Sequence, residues 1–196
     1  SNLVSRHQNS NSPPSIWSQS SSLNFSSHQN LDFVLGLVIG SSDRRVNSYK
    51  YQMLASASDN VDTSRAPTGK QVTADWSANI GEEARFIDVG RFVSQQGEQE
   101  NQIVVVAEHT LFVLRENGEV VVQKRLEYPV SSATLYPIRP DPNSPCNLLI
   151  GTHTNHCLVY NRDNWLVWCA RLPCAPVQVS VAEFGGVRGM IVPLDE

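Results

Sequence analysis

Cys146, His153, His156, Cys157, Cys169 and Cys174 crowd into the last third of the 196-residue chain. Thiolates and imidazoles are the ligands that zinc prefers, and a structural zinc needs four of them converging at about 2.0–2.3 Å. The spacing does not deliver that convergence, because no C-x-x-C pair occurs. Cys157 and Cys169 read as small packing thiols on neighbouring strands. Cys146 falls at the far end of its strand, leaving His153, His156 and Cys174 on one face. No metal site is assigned. No signal peptide precedes the four cysteines, so they are read as reduced thiols in a cytoplasmic chain. The sequon Asn24-Phe25-Ser26 then has no role.

Acid–base chemistry needs two convergent groups with separated pKa values. The charged residues placed for it are Arg85 and Asp88, three positions apart, and they read as a solvated pair. No phosphate-cradling glycine loop, HExxH motif or nucleophile elbow is present. Catalytic and cofactor-binding residues are therefore not assigned, no cofactor is expected, and the chain is not read as an enzyme. Trp76, Trp165 and Trp168 invite a stacking site for a ligand. Two of them, Trp76 and Trp168, recur at one repeat position and are better read as structural packing.

The chain carries 15 basic and 19 acidic residues, a net charge of −4. Without clustered Lys and Arg there is no footprint for nucleic acid. The apolar run Phe33–Ile39 falls far short of the ~20 residues that span a bilayer, so no transmembrane segment is expected. Residues 1–30 hold eleven serines, five asparagines and a single charge, Arg6. That composition cannot offset the entropy of ordering the backbone, and disorder is expected there. Within LDFVLGLVIG the pair Gly36 and Gly40 reads as a buried strand followed by a glycine turn. The chain opens on Ser1 and is read as a fragment.

What positions these residues is a repeat of 46 residues. That shift superposes Ile80, Leu126 and Leu172; Ile87, Ala133 and Val179; and Val89, Leu135 and Val181. Each period holds four short runs rich in Val, Ile and Phe, the residues pleated strands favour. In the first full unit the runs lie near 85–92, 102–107, 110–115 and 119–126, and in the second near 130–138, 147–152, 156–160 and 165–171. Glu116-Asn117-Gly118 is a hairpin signal, since Asn and Gly tolerate positive φ; Asp163-Asn164 stands one period later. Val72–Ile80 closes an earlier unit, with Tyr49–Ser56 as the strand before it and a loop carrying about 14 extra residues between them. Val177–Glu183 and Gly189–Val192 begin a further unit.

Tandem four-stranded units of this length are the signature of a β-propeller. The expected fold is all-β: a partial β-propeller over 31–196, about three blades' worth with both ends incomplete. Apolar faces around Ile80, Phe86, Val179 and Met190 are expected to be uncovered, which makes 31–196 alone prone to aggregate.

SYKYQMLA (Ser48–Ala55) and TADWSANIGEEA (Thr73–Ala84) resemble the N-terminal propeller of the parathyroid-hormone-responsive B1 family, the ninth Bardet–Biedl syndrome protein and a BBSome subunit. Arg115–Gly118, Leu149–His156 and Arg171–Val179 support the likeness, which runs colinearly from about residue 31. The resemblance implies a non-enzymatic scaffold in a coat-like complex that traffics membrane proteins to and from the cilium. It implies other BBSome subunits as partners, with an Arf-like small GTPase and ciliary membrane-protein cargo engaged indirectly. Its implied location is cytoplasmic, at the cilium, ciliary base and membrane. A generic interaction propeller of another trafficking complex is the alternative, and a propeller enzyme a further one.

Overall fold

The computed structural model describes residues 20–24, 35–50, 72–93, 100–141 and 144–194. Fourteen strands are present among them and no helix. Three four-stranded antiparallel meanders follow one another: β1 (Ser20–Asn24), β2 (Leu35–Ser41), β3 (Arg45–Lys50) and β4 (Trp76–Asn79); then β5 (Ala84–Gly90), β6 (Gln102–Ala107), β7 (Thr110–Leu114) and β8 (Val120–Arg125); then β9 (Val130–Pro137), β10 (Cys146–Thr152), β11 (His156–Tyr160) and β12 (Leu166–Arg171). A two-stranded sheet, β13 (Ser180–Phe184) and β14 (Val187–Ile191), begins a fourth. This is the all-β partial propeller that the repeat predicts, and the two central units match the sequence boundaries to within two residues.

The middle strands are apolar on both faces because a blade lies against each face. Ile103, Val105 and Ala107 of β6 join Phe112 and Leu114 of β7 in a core with Val38 and Val46 of the first blade. The alternate residues Val104, Val106, Leu111 and Val113 join Leu148, Ile150, Leu158 and Tyr160 of the third blade. Period-two alternation thus sends successive side chains to opposite neighbours. Each fully buried Val or Leu contributes about 1.5–3 kcal/mol relative to exposure. A third core of Leu149, Cys157, Val159 and Val179 joins the third blade to the fourth.

The repeat position Ile80/Leu126/Leu172 has a defined duty. Each residue follows the outer strand of its blade and donates its N–H back to an inner hairpin: Ile80 to Arg44 O at 3.0 Å, Leu126 to His109 O at 2.7 Å, and Leu172 to Asn155 O at 2.7 Å. The outer hairpins repeat as well. Arg115 and Asn161 donate to the carbonyls of Glu119 and Trp165, at 2.9 and 3.0 Å. Gly118 (φ 84°) and Asn164 (φ 61°) hold the left-handed position in the two turns, as the Asn/Gly signal requires. A β-bulge follows at the same register in both blades, opposite Val113/Leu114 and Val159/Tyr160.

The structure corrects the sequence reading at four places. The strand before β4 is Arg45–Lys50 rather than Tyr49–Ser56, because Arg44, at φ 64°, closes a tight hairpin after Ser41; residues 51–56 and most of the long loop lie outside the described residues. Gly36 and Gly40 sit inside β2 and form no turn. A Cβ on Gly40 would stand 3.0 Å from Ala84 Cβ and Ile87 Cδ1, so this glycine lets the second blade's inner strand approach. Within the Ser-rich segment, Ser20–Asn24 forms β1 on β2; ladder hydrogen bonds there do what apolar side chains cannot, and the rest of 1–30 except these residues lies outside the described residues. Ile80 and Val179 are buried and Phe86 packs on a core, so of the four positions expected to be uncovered only Met190, 45% exposed, is so.

Candidate functional site

The six cysteines and histidines do not converge. His153 and His156 flank the β10–β11 hairpin, while Cys146 opens β10 at its opposite end. Cys157 pairs with Ala170, and Cys169 with Leu158. Residues opposite one another in a ladder share a face, so the two thiols point to opposite faces of the blade. Cys157 is buried toward the fourth blade, whereas Cys169 is exposed, against its reading as a buried packing thiol. Among the described residues no group of three His, Cys, Asp or Glu is placed to hold a metal ion. His156 is engaged otherwise: its ring stacks on Tyr128 at 4.4 Å and 12°, and its Nδ1 lies 3.3 Å from Thr154 Oγ1. Burial pushes the Cys146 and Cys157 thiols above the usual range, which keeps them protonated and unreactive.

Arg85 and Asp88 do not form the expected pair. The Arg85 guanidinium lies 3.6 Å from Glu83, and Asp88 accepts the N–H of Val89 at 2.8 Å. A β-bulge of β5 falls between Ala84 and Phe86, at Arg85, whose side chain goes to Glu83 instead of Asp88. Desolvation raises the Asp88 carboxyl above its usual value, and the bond from Val89 partly offsets it. A raised carboxyl beside an inner strand is the kind of group an active site uses. Here no second group stands in hydrogen-bond contact with it among the described residues.

Of the two tryptophans that share a repeat position and were read as packing, only Trp76 packs; Trp168 is exposed, against that reading. Trp76, on β4, donates its indole N–H to Glu116 O at 2.7 Å and packs on the core between the first two blades. Trp168, at the same position of the third blade, is 43% exposed, and Trp165 in the outer hairpin is 70% exposed.

Three arrangements at blade boundaries escaped the sequence reading. Glu82 accepts from His109 N and Thr110 Oγ1, both at 2.7 Å, and faces Arg125 at 3.7 Å. Lys124 donates to Asn164 O at 2.5 Å and lies 4.9 Å above the Tyr160 ring; burial lowers its pKa. An open cleft of about 390 Å³ between the second and third blades is lined by Val89, Arg91, Asn101, Pro137, Asp141 and Cys146. The repeat held a signal for the first: Glu82 and Tyr128 are one period apart, and both meet the residue that opens a third strand, Thr110 or His156. What the geometry builds among the described residues, then, is a set of closely packed blades joined by single-atom contacts.

Comparison with known proteins bears on whose surfaces these are. A family model described as PTHB1 N-terminal matches residues 17–196, starting ahead of residue 31, where the sequence reading began the likeness. Protein PTHB1 of Xenopus laevis is 38% identical over 161 residues, 80% of this chain and 18% of its own. The Mus musculus and Homo sapiens proteins of that name are 35% and 33% identical over the same length, each covered to 17%. The chain therefore spans under a fifth of the curated relatives it matches. A chain in the crystal structure of BBS1N in complex with ARL6DN superposes with a TM-score of 0.62 at 14% identity, covering 83% of this chain and 47% of that one. At that identity the likeness establishes the propeller fold alone. No helix among the described residues is long and apolar enough to cross a membrane.

Proposed function

The chain belongs to the PTHB1 N-terminal family, and we propose that it serves as a non-enzymatic scaffold propeller of the BBSome, supporting traffic of membrane proteins to and from the cilium. The family match over 17–196 carries this reading. The geometry is consistent with it: packed blades with buried middle strands. Other BBSome subunits are the direct partners. A solved propeller of the same fold, BBS1N, was crystallised in complex with ARL6DN, which supports an Arf-like small GTPase as a component of the same assembly, engaged here indirectly together with ciliary membrane-protein cargo. The working location is cytoplasmic, at the ciliary base and the ciliary membrane.

Affinity purification of the tagged intact protein from ciliated cells tests the proposal. Other BBSome subunits should copurify in constant ratio, and the protein should concentrate at the ciliary base. A folded protein that melts cooperatively yet brings down no BBSome subunit would leave the generic interaction propeller as the better reading.

A further inference from the structure

We infer that the outer edge of the third blade, β12, is a docking site for an extended acidic peptide, which adds to the sheet as a further strand. The inference deepens the scaffold reading and rests on it. An outer strand of a propeller blade is an open edge, and natural proteins guard such edges with short strands, bulky charges or bulges. The three outer strands differ at equivalent positions. β4 is only four residues long. β8 carries Gln123, Lys124 and Arg125; Lys124 is tethered to Asn164 O, and Arg125 faces Glu82 at 3.7 Å. β12 has Cys169, Ala170 and Arg171 there instead. Two bulky polar guards are replaced by small side chains, and a second backbone can come close.

The backbone of that edge is available. Leu172 N–H bonds to Asn155 O, and hydrogen-bonded and non-bonded pairs alternate along an antiparallel ladder. Cys169 and Arg171 therefore turn their N–H and C=O groups away from β11. The bulge at Val167 ends the regular edge, so strand pairing is confined to 168–171.

The two ends of the edge define the partner. Arg171 and Arg125 are one period apart, but the place of Glu82 is taken by Tyr128. Among the described residues no carboxylate lies within 4 Å of Arg171, so the ion pair that Arg125 makes internally is left for an incoming acid. At the other end Trp165 replaces Glu119, whose carboxylate pairs with Arg115. Glu119 is 55% exposed in a blade flanked on both faces, so the 70% exposure of Trp165 belongs to the hairpin itself. The bulge sets residues 165–171 opposite 156–161, so an exposed Trp and an Arg with no ion-pair partner among the described residues stand about 17 Å apart along one edge. They fit a segment with an apolar residue at one end and a carboxylate about five residues away, joined by backbone pairing.

The probe is a fluorescein-labelled octapeptide of alternating Thr and Val, with Leu near one end and Glu five residues from it, titrated against the intact protein by anisotropy. Three companions are used: the same peptide N-methylated at alternate residues, a Lys-for-Glu peptide, and the Arg171→Glu variant. The Glu peptide should bind and the N-methylated one should bind at least about tenfold more weakly. Arg171→Glu should weaken the Glu peptide roughly three- to fivefold and favour the Lys peptide instead. Equal binding of the N-methylated peptide overturns strand addition, and equal binding of the Glu and Lys peptides overturns the acidic preference. No binding of the Glu peptide overturns the site. Self-association that Cys169→Pro abolishes, in place of peptide binding, assigns the edge to a second copy and overturns it too. Each of these failures leaves copurification with BBSome subunits untouched.

Discussion

The indole N–H of Trp76 donates to the carbonyl oxygen of Glu116 at 2.7 Å, and the two residues belong to different blades. The same ring lies where a side chain on Gly118 would stand: a Cβ there would come within 2.7 Å of Trp76 Cδ2. One aromatic side chain thus reads both the carbonyl and the missing Cβ of the neighbouring blade's turn.

Removing the donor alone should therefore register. Trp76→Phe keeps most of the packing but leaves Glu116 O without its partner, at a cost of about 1 kcal/mol. Trp76→Ala adds a cavity and should cost about 3 kcal/mol or more. Trp165→Ser, at an exposed site, should stay within about 0.5 kcal/mol. Urea denaturation followed by circular dichroism ranks the three, and an equal loss for Trp165→Ser would contradict the packing assignment.

Gly118→Ala faces both a left-handed φ of 84° and the Trp76 ring. It should destabilise by about 1–3 kcal/mol. Part of that penalty is steric, so combining it with Trp76→Leu should cost less than the sum of the single changes. Asn164→Gly, at the matching turn of the next blade, should be close to neutral. A double-mutant cycle with no coupling between positions 76 and 118 would show that backbone strain alone is at work.

This pairing also marks what the sequence makes legible. Period and turn chemistry were readable because a blade's inner hairpin, outer hairpin and closing residue recur at fixed offsets, with Gly118 over Asn164 and Leu126 over Leu172. Contacts between blades were not, because they join residues about 40 positions apart through single atoms: Trp76 to Glu116, Lys124 to Asn164. The shared repeat position predicted packing for Trp76 and Trp168 alike, and only Trp76 packs. Arg85 and Asp88 failed as a pair because a bulge at Arg85, which the sequence pattern does not mark, sends that side chain to Glu83. β1 went unread since its order comes from the β2 backbone and not from its own serines.

Thiol chemistry should follow burial. Brief treatment of the native protein with iodoacetamide should alkylate the exposed Cys169 first and Cys174 more slowly. Cys146 and Cys157, buried with raised pKa values, should react only after unfolding. Mass spectrometry of the modified peptides gives the order directly, and early labelling of Cys157 would place it outside the core between the third and fourth blades.

Asp88 should make stability fall with rising pH. Its carboxyl is raised in the folded chain by desolvation, so the folded state holds its proton longer than the unfolded state. At low pH both states are protonated and the group has no effect. As pH climbs past the ordinary carboxylate value the unfolded chain releases the proton first, and stability drops until the folded carboxyl also ionises. Asp88→Asn removes this dependence and should be more stable than the parent at neutral pH, with the two converging in acid. Denaturation midpoints across pH 3 to 8 test the sign; a parent that gains on Asp88→Asn as pH rises would reverse it.

The closing hydrogen bonds of the three blades bear on the order in which the chain folds. In the second and third blades the bonded residues, His109 with Leu126 and Asn155 with Leu172, are 17 positions apart; in the first, Arg44 and Ile80 are 36 apart. Loop-closure entropy rises with the logarithm of length, so doubling the span costs only about 0.6 kcal/mol. That is little in equilibrium stability but a threefold handicap in the rate of closing the loop. On a ribosome, where segments emerge in order, the β1–β4 blade emerges before the other two and is the slowest of the three to shut. The second blade, nucleated by its shorter loop, provides the surface on which the first one completes itself.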